Sequence, residues 1–145
     1  MGQQESIPTG TKAMIRHRTS GLYVHPFEGS DSPSENTRLV LHGDIHCFRF
    51  IAEECEYGYI EHVSSRMVVH PFRGKQTPIE ETELVLREER TEAAWFSYDK
   101  KNQFILHKGG LYVAPSGGEE EPDENTALVL CQSPNANMRF VLDPR

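Results

Sequence analysis

The chain has 145 residues, a formal net charge of −7 and a pI near 5.5, with 37% hydrophobic and 26% charged residues. That suits one compact domain and is too apolar for a disordered one. The acidic balance argues against nucleic acid and heparin-like polyanions as partners, and no apolar run approaches the ~20 residues of a membrane span.

In chain order, Met1-Gly2-Gln3-Gln4-Glu5-Ser6 lacks the basic and apolar regions of a signal peptide. The expectation is a flexible segment over 1–11 and a protein that is cytoplasmic or released by a non-classical route. The first β-rich runs are then Lys12 to Arg18, Leu22 to His25, Arg38 to His42 and Cys47 to Glu53, split by Ser-Gly and by a Gly/Ser/Pro/Asn loop. The next four are Tyr57 to Val63, Met67 to His70, Glu83 to Arg87 and Trp95 to Asp99. The last are Gln103 to Lys108, Leu111 to Val113, Ala127 to Cys131 and Met138 to Leu142.

These runs are three copies of one unit. Ile15-Arg16-His17, Ile60-Glu61-His62 and Ile105-Leu106-His107 open them. Leu39-Val40-Leu41, Leu84-Val85-Leu86 and Leu128-Val129-Leu130 recur further on. Phe50, Phe96 and Phe140 are expected to match near the ends. A four-stranded unit this small cannot bury its apolar face alone, so the copies must share one core. The fold class is all-β: a β-trefoil of twelve strands in three internal repeats (about 12–55, 56–100 and 101–145) with pseudo-threefold symmetry, forming one domain over 12–145. The apolar triplets read as core, and His17, His62 and His107 as hydrogen-bonded parts of the frame. Cys47, Cys55 and Cys131 are an odd number without metal-site spacing and read as free thiols.

Polar residues present in only one copy need another reason. His42-Gly43-Asp44-Ile45-His46 is the sharpest case, since the other copies have Arg87, Glu89 and Thr91, then Cys131, Ser133 and Asn135. In an extended segment His42, Asp44 and His46 would point to one side. A carboxylate accepts bonds from two neighbouring sugar hydroxyls, and imidazoles donate or accept. Nearby, His25-Pro26-Phe27-Glu28-Gly29 offers a glycine for close backbone approach and an aromatic face for the C–H side of a pyranose. Two alternatives stay open: a metal site on His42, Asp44 and His46, and a trefoil used for protein contact with decayed sugar sites.

These residues resemble the mytilectin family, the small β-trefoil lectins of bivalves, through the His-Pro-x-Gly-Gly and His-x-Asp-x-His steps and the intervening Pro and Asn-Thr. The similarity runs over about 12–142. It implies a non-enzymatic lectin for galactose- or N-acetylgalactosamine-terminated glycans on glycolipids or glycoproteins, with neither metal nor cofactor. The implied site is His25, Pro26, Phe27, Gly29, His42, Asp44 and His46. Glu28 departs from the family's glycine pair. A weaker second-repeat site falls on His70, Gly74, Arg87 and Glu89, with Arg87 and Glu89 expected to pair. With one good site per chain, agglutination would need a homodimer or larger assembly.

Overall fold

The computed structural model describes residues 10–74 and 77–144. Most of the expected flexible start, residues 1–9, lies outside them. Gly10 is already attached, its N–H donating to the Phe50 carbonyl at 2.9 Å. The strands are β1 Lys12–His17, β2 Tyr23–Pro26, β3 Leu39–His42, β4 Phe48–Glu54, β5 Tyr57–His62, β6 Val68–Pro71, β7 Leu84–Arg87, β8 Phe96–Asp99, β9 Phe104–His107, β10 Tyr112–Pro115, β11 Leu128–Cys131 and β12 Phe140–Pro144. Among the described residues the only helical pieces are three-residue 3₁₀ turns, so no helix there is long and apolar enough to cross a membrane.

The strands form a β-trefoil, as the repeats require. β1 pairs with β12 and β4, β4 with β5, β5 with β8, and β8 with β9. The Phe140 N–H donates to the Gln103 carbonyl at 2.8 Å, tying β12 to the start of β9 and closing the barrel. Three hairpins, β2–β3, β6–β7 and β10–β11, make the cap.

The apolar triplets explain the cap. Leu39 and Leu41, Leu84 and Leu86, and Leu128 and Leu130 all join the central core at 2% exposure or less. The intervening valines face the opposite way, and each is buried because the preceding hairpin of the ring covers it. Bridges run from Arg38 to Val85, Glu83 to Val129 and Val40 to Ala127. A strand covered on both faces reads as an unbroken apolar run.

Each repeat also holds the next with one carboxylate. Glu35 accepts from the Glu88 N–H at 2.9 Å, Glu80 from Gln132 N–H at 3.1 Å, and Glu124 from Gly43 N–H at 3.1 Å. The last link runs from the third copy back to the first.

His17, His62 and His107 end the first strand of their repeats, are fully buried and pack on Phe140, Phe48 and Phe96 at 5.5, 5.4 and 5.1 Å. This corrects the expected match of Phe50 with Phe96 and Phe140: the equivalent residue is Phe48. Only five residues (43–47) link β3 to β4, against eight in 88–95 and eight in 132–139, where a 3₁₀ turn is inserted. The shortened link shifts the register by an amount that the 45-residue spacing of the first strands conceals. Phe50 is still buried, at 4% exposure.

Candidate functional site

The shortened link and the turn after β2 create the site. Beyond Pro26 the chain turns through Phe27–Gly29, with Glu28 at φ 72° and Gly29 at φ 69°. Both lie in the left-handed region, which favours glycine. At Gly29 the reason is also steric: a Cβ there would sit 2.8 Å from the His25 Cε1. Only a glycine lets the His25 ring press against the turn.

β3 ends at His42, and the chain bends at Gly43–Asp44 instead of continuing extended. His42, Asp44 and His46 therefore do not line up on one side as an extended segment would place them. The Asp44 N–H donates to His42 Nδ1 at 3.1 Å. That nitrogen must be unprotonated, so the proton of neutral His42 is on Nε2. Nε2 stands 3.7 Å from the Glu124 carboxylate.

His25, Phe27, Glu28, Gly29, His42, Asp44 and Asn125 line one open cleft of about 280 Å³. The Asp44 side chain is 82% exposed, whereas His25 is only 2% exposed and forms the floor. His25 and His42 stack at 4.6 Å with planes 16° apart. Burial first, then the neighbouring His46 and His42, lowers the His25 pKa, so its ring is neutral at pH 7. Pro26 is buried behind the turn.

Besides Pro26, one expected residue lies outside the cleft. His46 stands behind the cleft, edge-on to His25 at 4.8 Å and stacked on His62 at 5.1 Å. Its bonds fix every proton in a relay. The Met67 N–H donates to Ser65 Oγ at 3.2 Å, and the Ser65 O–H to His62 Nδ1 at 2.8 Å. His62 Nε2–H then donates to His46 Nδ1 at 2.9 Å, and His46 Nε2–H to the Gly29 carbonyl at 3.2 Å. His46 thus holds the backbone of the turn in place. In the other copies the frame histidines donate directly to carbonyls: His107 Nε2–H to Ala93 at 2.7 Å and His17 Nε2–H to Asn137 at 2.6 Å.

Asn125 and Glu124 were missed in the sequence because they belong to the third repeat. Their signal was the recurring Glu-Asn-Thr, which serves the following copy and not its own. In the second copy that role falls to Glu35 and Asn36 of the first.

There His70 is fully buried and its Nε2–H donates to the Glu89 carbonyl at 2.5 Å. Arg87 pairs with Glu89 at 3.6 Å, as expected. In the third copy Ala114 and Cys131 stand where the imidazoles stand in the first. Burial, with Glu81 and Glu80 nearby, pushes the Cys131 thiol pKa up and keeps it protonated. All three cysteines are free.

His25, His42 and Asp44 also bring three potential metal-ligand atoms within 4.8 Å of one another. His46 is not in this set. Nearly parallel stacked imidazoles send their in-plane lone pairs side by side, and His42 Nδ1 already accepts from Asp44. The geometry suits hydrogen bonding to a polyol better than convergence on an ion.

A β-trefoil with an open cleft of exposed donors and acceptors at one cap hairpin has the make-up of a carbohydrate-binding module. The chain belongs to the MytiLec family, described as alpha-D-galactose-binding lectin, whose model matches residues 13–143. A galactose-binding lectin of Crenomytilus grayanus is 45% identical over 53 residues, covering 34% of this chain and 35% of that protein. The match therefore spans about a third of the length of this curated relative. In fold, the chain is similar to the designed 3-fold symmetric protein ThreeFoil, with a TM-score of 0.76 at 10% identity over 91% of this chain and 97% of that one. The C-half of an earthworm R-type lectin, solved in complex with GalNAc, gives a TM-score of 0.68 at 7% identity over 93% and 99%.

Proposed function

We propose that the chain is a lectin for galactose- or N-acetylgalactosamine-terminated glycans, carried on glycolipids or glycoproteins, with one complete neutral-sugar site in the first repeat. The observation that carries the reading is the convergence of Gly29, His42, Asp44 and Asn125 on one open cleft floored by His25. The Asp44 carboxylate accepts from two adjacent hydroxyls, and charge-assisted bonds of this kind are the stronger ones. His42 Nε2–H is a fixed donor, and the Asn125 amide donates and accepts. Phe27 offers an apolar face. Galactose as the sugar rests on the family's description.

The site has no catalytic role in this reading. Glycoside hydrolysis requires a carboxyl pair about 5–9.5 Å apart across the scissile bond. Here Asp44 acts as a hydroxyl acceptor, and Glu124 is committed to the Gly43 amide. A single exposed site binds weakly, and a homodimer would raise avidity by presenting two.

Calorimetric titration with methyl galactoside should give a stoichiometry near one. Asp44→Ala should abolish binding and leave the melting temperature unchanged, because its side chain is 82% exposed. Full binding by Asp44→Ala, or three equivalent neutral-sugar sites, refutes the reading.

A further inference from the structure

The second copy keeps the turn and hairpin that frame the first-repeat cleft but changes the charge of the side chains on them. Phe72, Arg73 and Gly74 form the same 3₁₀ turn, with Arg73 at φ 69° and Gly74 at φ 63°. Phe72 is 43% exposed, with the Arg73 guanidinium over its ring at 5.4 Å. Asn36 corresponds to Asn125, Glu89 to Asp44, Arg87 to His42 and Arg73 to Glu28. Two carboxylates and two imidazoles around the first cleft become two guanidiniums, one carboxylate and one imidazole.

The fold absorbs the new cations only in part: Arg87 pairs loosely with Glu89, and Arg73 lies over the Phe72 ring. Arg87 Nε is buried without a partner among the described residues, and so is Nδ1 of the fully buried His70. Buried polar atoms are normally satisfied; His25 Nδ1 is bare in the same way in the first copy, so the Arg87 orphan is what the second copy adds. Gly74 packs against both side chains: a Cβ there would be 2.9 Å from Arg87 Nη1 and 3.8 Å from His70 Nδ1. The Arg87–Glu89 ion pair, at 3.6 Å, is too long for a hydrogen bond. Two further acids flank the site: Glu35, bonded to the Glu88 amide at 2.9 Å, and Glu83, at the place Arg38 holds in the first copy.

We propose that the second-repeat counterpart of the first cleft, at His70, Phe72, Arg73, Gly74, Arg87 and Asn36, binds a galactoside bearing one anionic group, a sulfate ester or a carboxylate. This rests on the lectin reading above. The planar guanidinium of Arg87 meets two oxygens of such a group at once, while Asn36 and Glu89 take hydroxyls. The chain's net charge of −7 opposes a polyanion, yet a single charge responds to the local field within a screening length. The first cleft, with Glu28 and Asp44 on its rim, repels the same ligand. One chain would thus read two forms of one sugar at two positions.

The test uses the full chain with methyl galactoside, its 3-O-sulfate, its 6-carboxylate and inorganic sulfate. Asp44→Ala should lose the neutral probe and keep at least one anionic galactoside, and the two anionic probes tell sulfate from carboxylate. Arg87→Gln should weaken the anionic probe about tenfold or more and leave the neutral one unchanged. Should Arg87→Gln fold poorly, Arg73→Glu, an exposed change that restores the first copy's charge, serves instead. Anionic binding unaffected by both changes, no preference of Asp44→Ala for the anionic probes, or inorganic sulfate binding as tightly as the galactosides overturns the proposal while neutral binding still stands. Wild-type protein that binds only the anionic probes sinks the first-repeat reading and supports this one.

Discussion

Six of the seven histidines divide into two sets that fold alike and work differently. His17, His62 and His107 recur in every copy, are fully buried and hold the link before the last strand of a repeat. His25, His42 and His46 gather in the first copy, around a cleft that the other two copies do not reproduce. A residue that obeys the threefold symmetry serves the frame, and one that departs from it is free to serve a ligand. His62 belongs to both sets, because it holds its link through the His46 side chain where its counterparts grip a backbone carbonyl.

That comparison breaks first at His107. His107→Ala removes a buried ring and strands both the Ala93 carbonyl and the Gly109 N–H, so a stability loss of about 3 kcal/mol is expected. Chemical denaturation measures it, and sugar binding by the folded fraction should be unchanged. His62→Ala should cost a similar amount and also weaken methyl galactoside severalfold, since the Gly29 turn loses its support. Equal binding by the folded fractions of both variants would detach His62 from the cleft.

Acid tests the buried set as a whole. Burial, then the neighbouring His46, lowers the His62 pKa to about 4. Burial likewise lowers His17 and His107. An unfolded histidine takes its proton near pH 6.5. Below that pH the unfolded chain binds more protons than the folded one, so stability falls. It is fully present above about pH 6.5 and is lost as the pH drops toward about 4, where folded His62 titrates. Melting temperatures from pH 7.5 to 4 should decline across this window, and a flat profile contradicts the assigned proton positions.

The smallest effect is at Glu28. It holds a left-handed backbone at φ 72° where the third copy has Gly117 at 87°. Glu28→Gly should stabilise by about 1 kcal/mol, and it should bring the first cleft closer to tolerating an anionic sugar. A destabilised variant would show that Glu28 makes a contact that offsets its backbone cost.

The symmetric part of this molecule was legible in the sequence, because burying both faces of a cap strand demands Leu-Val-Leu in each copy. The site was half legible. His42 and Asp44 stood out as departures from the repeat, with the His25–Gly29 step beside them, and all of His25, Gly29, His42 and Asp44 line the cleft. His46 was read as a third member on an extended segment, but a bend at Gly43–Asp44 turns it to the rear. The mismatch of Phe50 with Phe96 and Phe140 has the same origin, the five-residue link. Asn125 could not be assigned from spacing, because which copy's loop lies against which hairpin is decided only when the cap closes.

The Glu124–Gly43 bond spans 81 positions of chain, so the first-repeat cleft is finished only once the third repeat has been made. A nascent chain holding two complete repeats has His25, His42 and Asp44 but neither Asn125 nor the carboxylate that anchors the Gly43 bend. The recognition proposed for this cleft is therefore silent in a two-repeat chain and arises in one step, when the third copy docks.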